Sequence, residues 1–404
     1  MVRGSSAKGA ARISGDARTF DLIPNAINRY SVGDRTPGLR RRPDGALEIA
    51  TGGRRGASER EMMIEGVDLA ALRAWMDGQG VGSGPIADTR LLSGGTQNIL
   101  LRFTRGEETY VLRRPPINLR ANSNETMRRE ARVLAALAAS DVPHPRLVAA
   151  CPEESVIGAA FYLMEPIEGF NPGAGLPPLH AQDAALRHRI GLSMVEAMAG
   201  LGAVDYRAVG LDGFGKTENY LERQVGRWKA QLASYADLPG WPGPDAIPGV
   251  DKVGRWLDAH RPVDFRPGII HGDFHLANVM VRHDSGELAA IVDWELCTIG
   301  DPLLDLAWLL ATWPEGEVPC PTDIATTPWQ GFAAPDELVA HYGAVSGRDL
   351  AALDWYMVLA CFKLGILLEG TYARACAGKV PREMGDHFHA HCIDVFGRAL
   401  RRIG

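Results

Sequence analysis

The 404-residue sequence shows no secretory signal, no CxxC pair and no long uninterrupted apolar run, and each absence excludes a class of protein. Its six cysteines, Cys151, Cys297, Cys320, Cys361, Cys376 and Cys392, stand singly. That scatter argues against a zinc ribbon or a disulfide scaffold and suits buried thiols in a reducing compartment. The apolar stretches, such as residues 303–313, are interrupted by Asp305 or fall short of a bilayer span, so no transmembrane helix and no membrane partner are expected. No internal repeat of roughly 20–50 residues is visible. The expected location is the cytoplasm.

What remains is an ordinary globular composition, with 46% apolar and 23% charged residues and a length sufficient for two core-bearing lobes. The net charge of −6 is unevenly spread: residues 1–60 carry 11 Arg and 1 Lys against 6 acidic residues, which gives +6 and leaves −12 for the rest. The run Arg40, Arg41, Arg42 lacks the interleaved aromatics of a nucleic-acid surface, so no nucleic-acid partner is expected. Residues 1–60, rich in Gly, Arg and Pro, read as an irregular basic extension.

Periodicity starts at Val67, where Leu69, Leu72, Trp75 and Met76 share one helical face that runs out at Gly78 and Gly80. Apolar runs at 91–92, 99–103 and 110–112, separated by turn residues, predict antiparallel strands; residues 125–139 predict a helix, and 156–167 further strand. Beyond Gly169 long helical patterns dominate, over 181–201, 218–235 and from 335 onward, with short apolar runs at 268–270 and 290–292 among them. The expectation is an α+β, two-lobed chain. A small sheet with one main helix would occupy residues 61–165, and a larger, mostly helical lobe residues 166–404.

The chemistry concentrates in His271-Gly-Asp273-Phe-His-Leu-Ala-Asn278, followed 15 residues after Asn278 by Asp293 in Ile-Val-Asp-Trp-Glu295. Phosphoryl transfer requires a carboxylate to align the attacking hydroxyl and oxygen ligands to fix magnesium against the phosphates. Asp273, in the turn opened by His271, suits the first role, and Asn278 with Asp293 the second. Upstream, Gly94, Gly95 and Thr96 lie in a turn between strands, where glycine lets backbone N–H groups approach phosphates. Arg113 ends the next strand, and Glu130 on the following helix is placed to orient it. One carboxylate base suffices for an alcohol acceptor.

With these motifs the chain resembles the aminoglycoside phosphotransferase and choline kinase-like family over roughly residues 67–395. Four segments, VLRRPP at 111–116, FYLMEPIEG at 161–169, YLERQVGRW at 220–228 and GDPLLDLA at 300–307, are most similar to one branch, which includes the phosphotransferase-like domains fused to acyl-CoA dehydrogenases. The resemblance implies a protein-kinase-like fold and ATP, with GTP an option, together with Mg2+. It makes Asp273 the base, Asn278 and Asp293 the metal ligands with Glu295 assisting, and Met164, Glu165 and Pro166 the adenine hinge. Asp305 would be a helix residue that stabilises the lobe. The partners it implies are a nucleotide and a small-molecule hydroxyl acceptor, for which that branch suggests the hydroxyacyl-CoA kind, with a homodimer left open. Glu369, Tyr372 and Arg374 fall where such C-terminal helices border the acceptor, although helix packing explains them equally well. Arg113 departs from the lysine of many relatives, and a planar fork is not a compact ammonium.

Other readings compete. An aminoglycoside is an alternative acceptor, favoured by the −12 charge. A nucleotide-binding pseudokinase is an alternative role, favoured by Arg113. Residues 210–217, GLDGFGKT, match GxxxxGK[ST] letter for letter, yet they follow a helical pattern and not a buried strand, so a P-loop is the lesser reading. His387, His389, His391 and Cys392 form a metal-like run with no evident further ligand and read as helix histidines.

Overall fold

The computed structural model describes residues 64, 66–92, 98–314 and 326–404, with the backbone of Leu39–Arg41, Leu47–Ile49 and Met63. Two short antiparallel hairpins, Leu39–Arg41 with Leu47–Ile49 and Met63–Ile64 with Val67–Asp68, precede the main fold. Gly94, Gly95 and Thr96, the expected phosphate-covering turn, lie outside the described residues, as does most of the 1–60 extension.

Helix α1 (Leu69–Gln79) begins where the Asp68 carboxylate accepts hydrogen bonds from the Ala70 and Ala71 amides, and it stops at Gly80, whose φ of 67° few side chains tolerate. Five antiparallel strands follow: β1 (Ile86–Leu91), β2 (Ile99–Arg105), β3 (Glu108–Arg114), β4 (Leu147–Cys151) and β5 (Phe161–Met164), in the order β1-β2-β3-β5-β4. Strand alternation divides their side chains. Leu101, Phe103, Leu112 and Leu163 form one buried cluster with Leu72 and Met76 of α1. Tyr162, which pairs with Arg113 in the β3–β5 register, turns to the other face and joins the core of the second lobe. Helix α2 (Ser123–Leu137) packs against β4 and β5 and brings Glu130 beneath the sheet.

The second lobe contains α3 (Ala184–Ala203), α4 (Tyr220–Ala233), α5 (Val250–Ala259), α6 (Leu303–Thr312), α7 (Pro335–Ser346), α8 (Leu353–Cys376) and α9 (Arg382–Ile403). Two small two-stranded antiparallel sheets are set among them: β6 (Gly268–Ile270) pairs with β9 (Thr298–Gly300), and β7 (Val279–Val281) with β8 (Leu288–Ile291). The turns after β6 and β8 are those that carry Asp273 and Asp293. Helix α8 corrects the expectation that the apolar stretches fall short of a bilayer span, for by length and composition it is long and apolar enough to cross one. Burial inside the lobe accounts for that composition, since 94% of the apolar window is covered by the fold.

The α8–α9 seam is close enough to require glycine. A Cβ on Gly365 would lie 2.4 Å from the Phe396 ring, whereas one on Gly226, exposed in α4, would meet nothing within 4 Å. Gly226→Ala is therefore expected to stabilise the protein by about 0.5–1 kcal/mol. Gly365→Ala, despite the same gain in helix propensity, is expected to cost about 1–3 kcal/mol through overpacking. Urea midpoints measured side by side should move in opposite directions.

Candidate active site

The loop after β6 is held from behind by α6. Asp305, in the first turn of that helix, accepts the His271 amide on one oxygen (2.6 Å) and the Gly272 amide on the other (2.9 Å). Gly272 has φ +85°, and a Cβ there would lie 2.5 Å from the Leu296 carbonyl oxygen, so the turn admits only glycine. One helical turn after Asp305, the Trp308 indole N–H donates to Asp273 Oδ1 at 2.9 Å. The Asn278 amide donates to Asp273 Oδ2 (3.0 Å) and to the Asp273 carbonyl (2.9 Å), and His275 Nε2 lies 3.4 Å from the same Oδ2. His271 points elsewhere, with Nε2 3.0 Å from the Val292 carbonyl, where it ties the two site loops together. Burial pushes the Asp273 carboxyl up, but His275, Lys363 and His271 outweigh it and hold the group at about 2, so the carboxylate is charged at neutral pH.

The second half of the site gathers around Arg113. Its guanidinium donates to Asp293 Oδ1 (2.8 Å) and Glu130 Oε1 (3.3 Å), and its Nε lies 2.8 Å from Glu130 Oε2 without the alignment of a hydrogen bond. Tyr162 donates to that Oε2 at 2.7 Å, the contact set up by the β3–β5 register. Asp293 adopts a left-handed φ of 69°, which ends the β8 extension and turns its carboxylate toward Arg113. The Val292 amide donates to the Asn278 carbonyl at 2.9 Å, so the Asn278 and Asp293 loops are neighbours. Glu130, Asp293 and Glu295 each place an oxygen within 4.8 Å of one another, the one acidic or His/Cys metal-type cluster among the described residues. Burial and then Asp293 push the Glu295 carboxyl up to about 8. Burial also raises Glu130 despite the opposing Arg113.

The expected hinge residues begin at the last residue of β5. Met164 is half-buried against the second-lobe core, the Glu165 amide donates to the Arg146 carbonyl at 3.0 Å, and Pro166 carries no N–H. The three acceptor candidates on α8 are otherwise engaged. Glu369 is fully buried and accepts from the Trp241 indole (2.7 Å), with His389 Nδ1 also at 2.7 Å. The Tyr372 ring stacks on His389 with centroids 4.3 Å apart, and Arg374 donates to the Thr371 hydroxyl at 2.9 Å.

The GxxxxGK[ST] segment does not form a phosphate loop. It follows the turn after α3, no strand precedes it, and Lys216 is exposed. Its role in the fold is to bind the lobes together: Arg132 of α2 donates to the Gly210 carbonyl (2.6 Å), Arg129 donates to the carbonyls of Phe214 and Cys297 (3.2 Å each), and the Arg129 guanidinium covers the Phe214 ring at 3.9 Å. The histidine run is packing too, with His389 committed to Glu369 and Cys392 buried. Sequence reasoning passed over Trp308 and Lys363. The available signal for the latter was a lone lysine inside an otherwise apolar helical stretch.

Known proteins carry the same architecture. The family model described as Phosphotransferase enzyme family matches residues 88–356. Acyl-CoA dehydrogenase family member 10 of Mus musculus is 30% identical over 300 residues, which cover 69% of this chain and 27% of the relative. Acyl-CoA dehydrogenase family member 11 of Homo sapiens is 31% identical over 290 residues, covering 70% and 36%. The chain thus spans well under half the length of these curated relatives. A candidate aminoglycoside phosphotransferase of Ralstonia eutropha, solved by crystallography, is 28% identical with a TM-score of 0.69 over 83% of this chain and 99% of that one. The GDP complex of aminoglycoside 2'-phosphotransferase-IIIa, 14% identical with a TM-score of 0.55 over 82% and 99%, shares the fold alone. By the family match over most of its folded length and by its two-lobed, kinase-like α+β architecture, this chain belongs to the phosphotransferase enzyme family.

Proposed function

We propose that the protein transfers the γ-phosphoryl group of ATP to a hydroxyl of a small metabolite. The observation that carries this reading is the juxtaposition of a fixed, charged Asp273 with the Asp293 and Glu295 cluster across the Asn278–Val292 backbone hydrogen bond. A carboxylate held at about 2 is a weak base. Its task in such a site is to orient the attacking hydroxyl and take up the proton late, as the bond to phosphorus forms. Trp308 and Asn278 supply the orientation, each donating to a different oxygen of Asp273.

The donor set also suits a hard divalent cation. Asn278 makes its hydrogen bonds through Nδ2, and its Oδ1 accepts none from any described residue. The cluster of buried Glu130 with half-buried Asp293 and Glu295 has Arg113 as its close cation. Asn278 Oδ1, Asp293 and Glu295 would hold Mg2+, which when bound would draw negative charge from the phosphates. Arg113, anchored by Glu130, would contact phosphate oxygens, and the β5–Pro166 edge would receive the adenine. The relatives favour a hydroxylated acyl thioester or similar metabolite as acceptor, and the −12 charge of residues 61–404 favours the aminoglycoside alternative. A nucleotide-sensing role without transfer is the second reading, favoured by the Arg113–Asp293 ion pair, which occupies one oxygen of a proposed metal ligand.

Calorimetric titration of magnesium-ATP is the first test. Asp293→Ala is expected to abolish binding, Lys216→Ala to leave it unchanged, and Asp273→Ala to keep affinity within about threefold while kcat falls by about 100-fold or more. Retained turnover in Asp273→Ala would contradict the catalytic assignment, and loss of binding in Lys216→Ala the location of the nucleotide.

A pH experiment probes the acidic cluster. The folded protein keeps a proton on Glu295 that the unfolded chain releases near the ordinary value of 4.5. The stability from this protonated group is full below that value and is lost as the pH rises toward about 8. In EDTA, urea midpoints of the wild type should decline over that window, and Glu295→Gln should show a flatter profile.

A further inference from the structure

Lys363 is the one lysine among the buried residues of α8, and its ammonium reaches the back of the Asp273 loop. Nζ donates to the Gly272 carbonyl at 2.8 Å and lies 4.0 Å above the centroid of the Trp308 ring, with the Trp228 ring 5.8 Å away. Gly272 is therefore clamped at both ends: Asp305 takes its N–H and Lys363 its C=O. Trp308, whose ring carries the ammonium on its face, is the residue that donates to Asp273 Oδ1. One buried cation thus restrains both routes by which the Asp273 carboxylate is set, the backbone turn just before it and the indole beside it.

We propose that Lys363 is a positioning residue for Asp273, acting through the Gly272 carbonyl and the Trp308 ring. The inference rests on the reading of Asp273 as the group that orients the acceptor hydroxyl, and adds to it what keeps that carboxylate in place. A buried ammonium is costly without compensating contacts. Burial, reinforced by Arg227, pulls Lys363 down to about 8 even though Asp273 and Asp305 draw it toward the charged form. A hydrophobic residue of similar length would fill the same space without that penalty, and would also leave the Gly272 carbonyl unpaired and the Trp308 face without its cation. In phosphoryl transfer, where catalysis is mostly alignment, a small rotation of the base is felt in kcat and not in nucleotide binding.

The test uses Lys363→Met, Lys363→Arg, Trp308→Phe and Asp273→Ala in the full chain, with magnesium-ATP as the probe. The first readout is hydrogen exchange of the Trp308 indole N–H, identified by its disappearance in Trp308→Phe. Exchange is expected to be slow in wild type and in Lys363→Arg, and at least about tenfold faster in Lys363→Met and Asp273→Ala. The second is hydrolysis of magnesium-ATP into water, for which Lys363→Met should lower kcat by about 10–100-fold with KM for ATP within about twofold. Lys363→Arg should recover most of that loss. The double variant Lys363→Met with Trp308→Phe should be little worse than either single change, since both act through one carboxylate. Wild-type indole exchange in Lys363→Met overturns the proposal whatever the turnover. If Asp273→Ala abolishes hydrolysis and Lys363→Met retains it in full, the positioning role fails and the reading of Asp273 stands. If Asp273→Ala retains hydrolysis, that reading fails, and the exchange data still decide whether Lys363 holds the loop. Should Lys363→Met not fold, Lys363→Gln, which keeps a donor without the charge, takes its place in both readouts.

Discussion

Arg113 pairs at once with Glu130 of α2 and with Asp293, a residue 180 positions away on the second lobe. The constraint is electrostatic. Buried carboxylates cannot be left uncompensated, and among the described residues of the first lobe Arg113 and the Tyr162 hydroxyl offset the charge of Glu130. The β3–β5 register that places Arg113 beside Tyr162, the helix that places Glu130 beneath them, and the left-handed Asp293 all serve this junction. Loss of any of these would leave a buried charge exposed to the penalty of a low-dielectric setting. The same demand underlies the divalent cation proposed for this site.

A second, independent support comes from α6 and α8. Asp305 and Trp308 reach forward from one helix, Lys363 from the other, and together they define where the His271–Asp273 turn can lie. The division of labour suits phosphoryl transfer, in which proteins contribute alignment and fixed charge more than covalent chemistry. The interlobe clasp of Arg129 and Arg132 on the 210–217 loop explains why that segment is glycine-rich without being a phosphate loop: Gly215 abuts the Thr298 hydroxyl and the Ile299 backbone, where a Cβ would clash.

Much of the architecture was legible because local signals agree with the fold. Alternating apolar residues marked the first-lobe strands, and the HGDxxxxN and IVDWE segments marked the two site loops at their observed places after β6 and β8. The span of α8 was not legible, since an apolar run interrupted by Lys363 and Glu369 reads as shorter than it is. Periodicity cannot report that a helix is buried on all sides. Nor does sequence distinguish Glu369 facing an acceptor from Glu369 facing Trp241 and His389, since the partners lie on other elements.

By itself the sequence determined the residue types of a phosphotransferase-family site, their order along the chain and their placement at strand ends, because spacing and hydrophobic pattern are local properties. Only the tertiary structure decided which charges meet: that Arg113 grips Asp293 as well as Glu130, that Trp308 and Asn278 divide the two oxygens of Asp273, and that Lys363 stands behind the loop. The reason is physical. The strength of an ion pair or a hydrogen bond depends on distance and on the water excluded around it, and both are set by how distant segments pack.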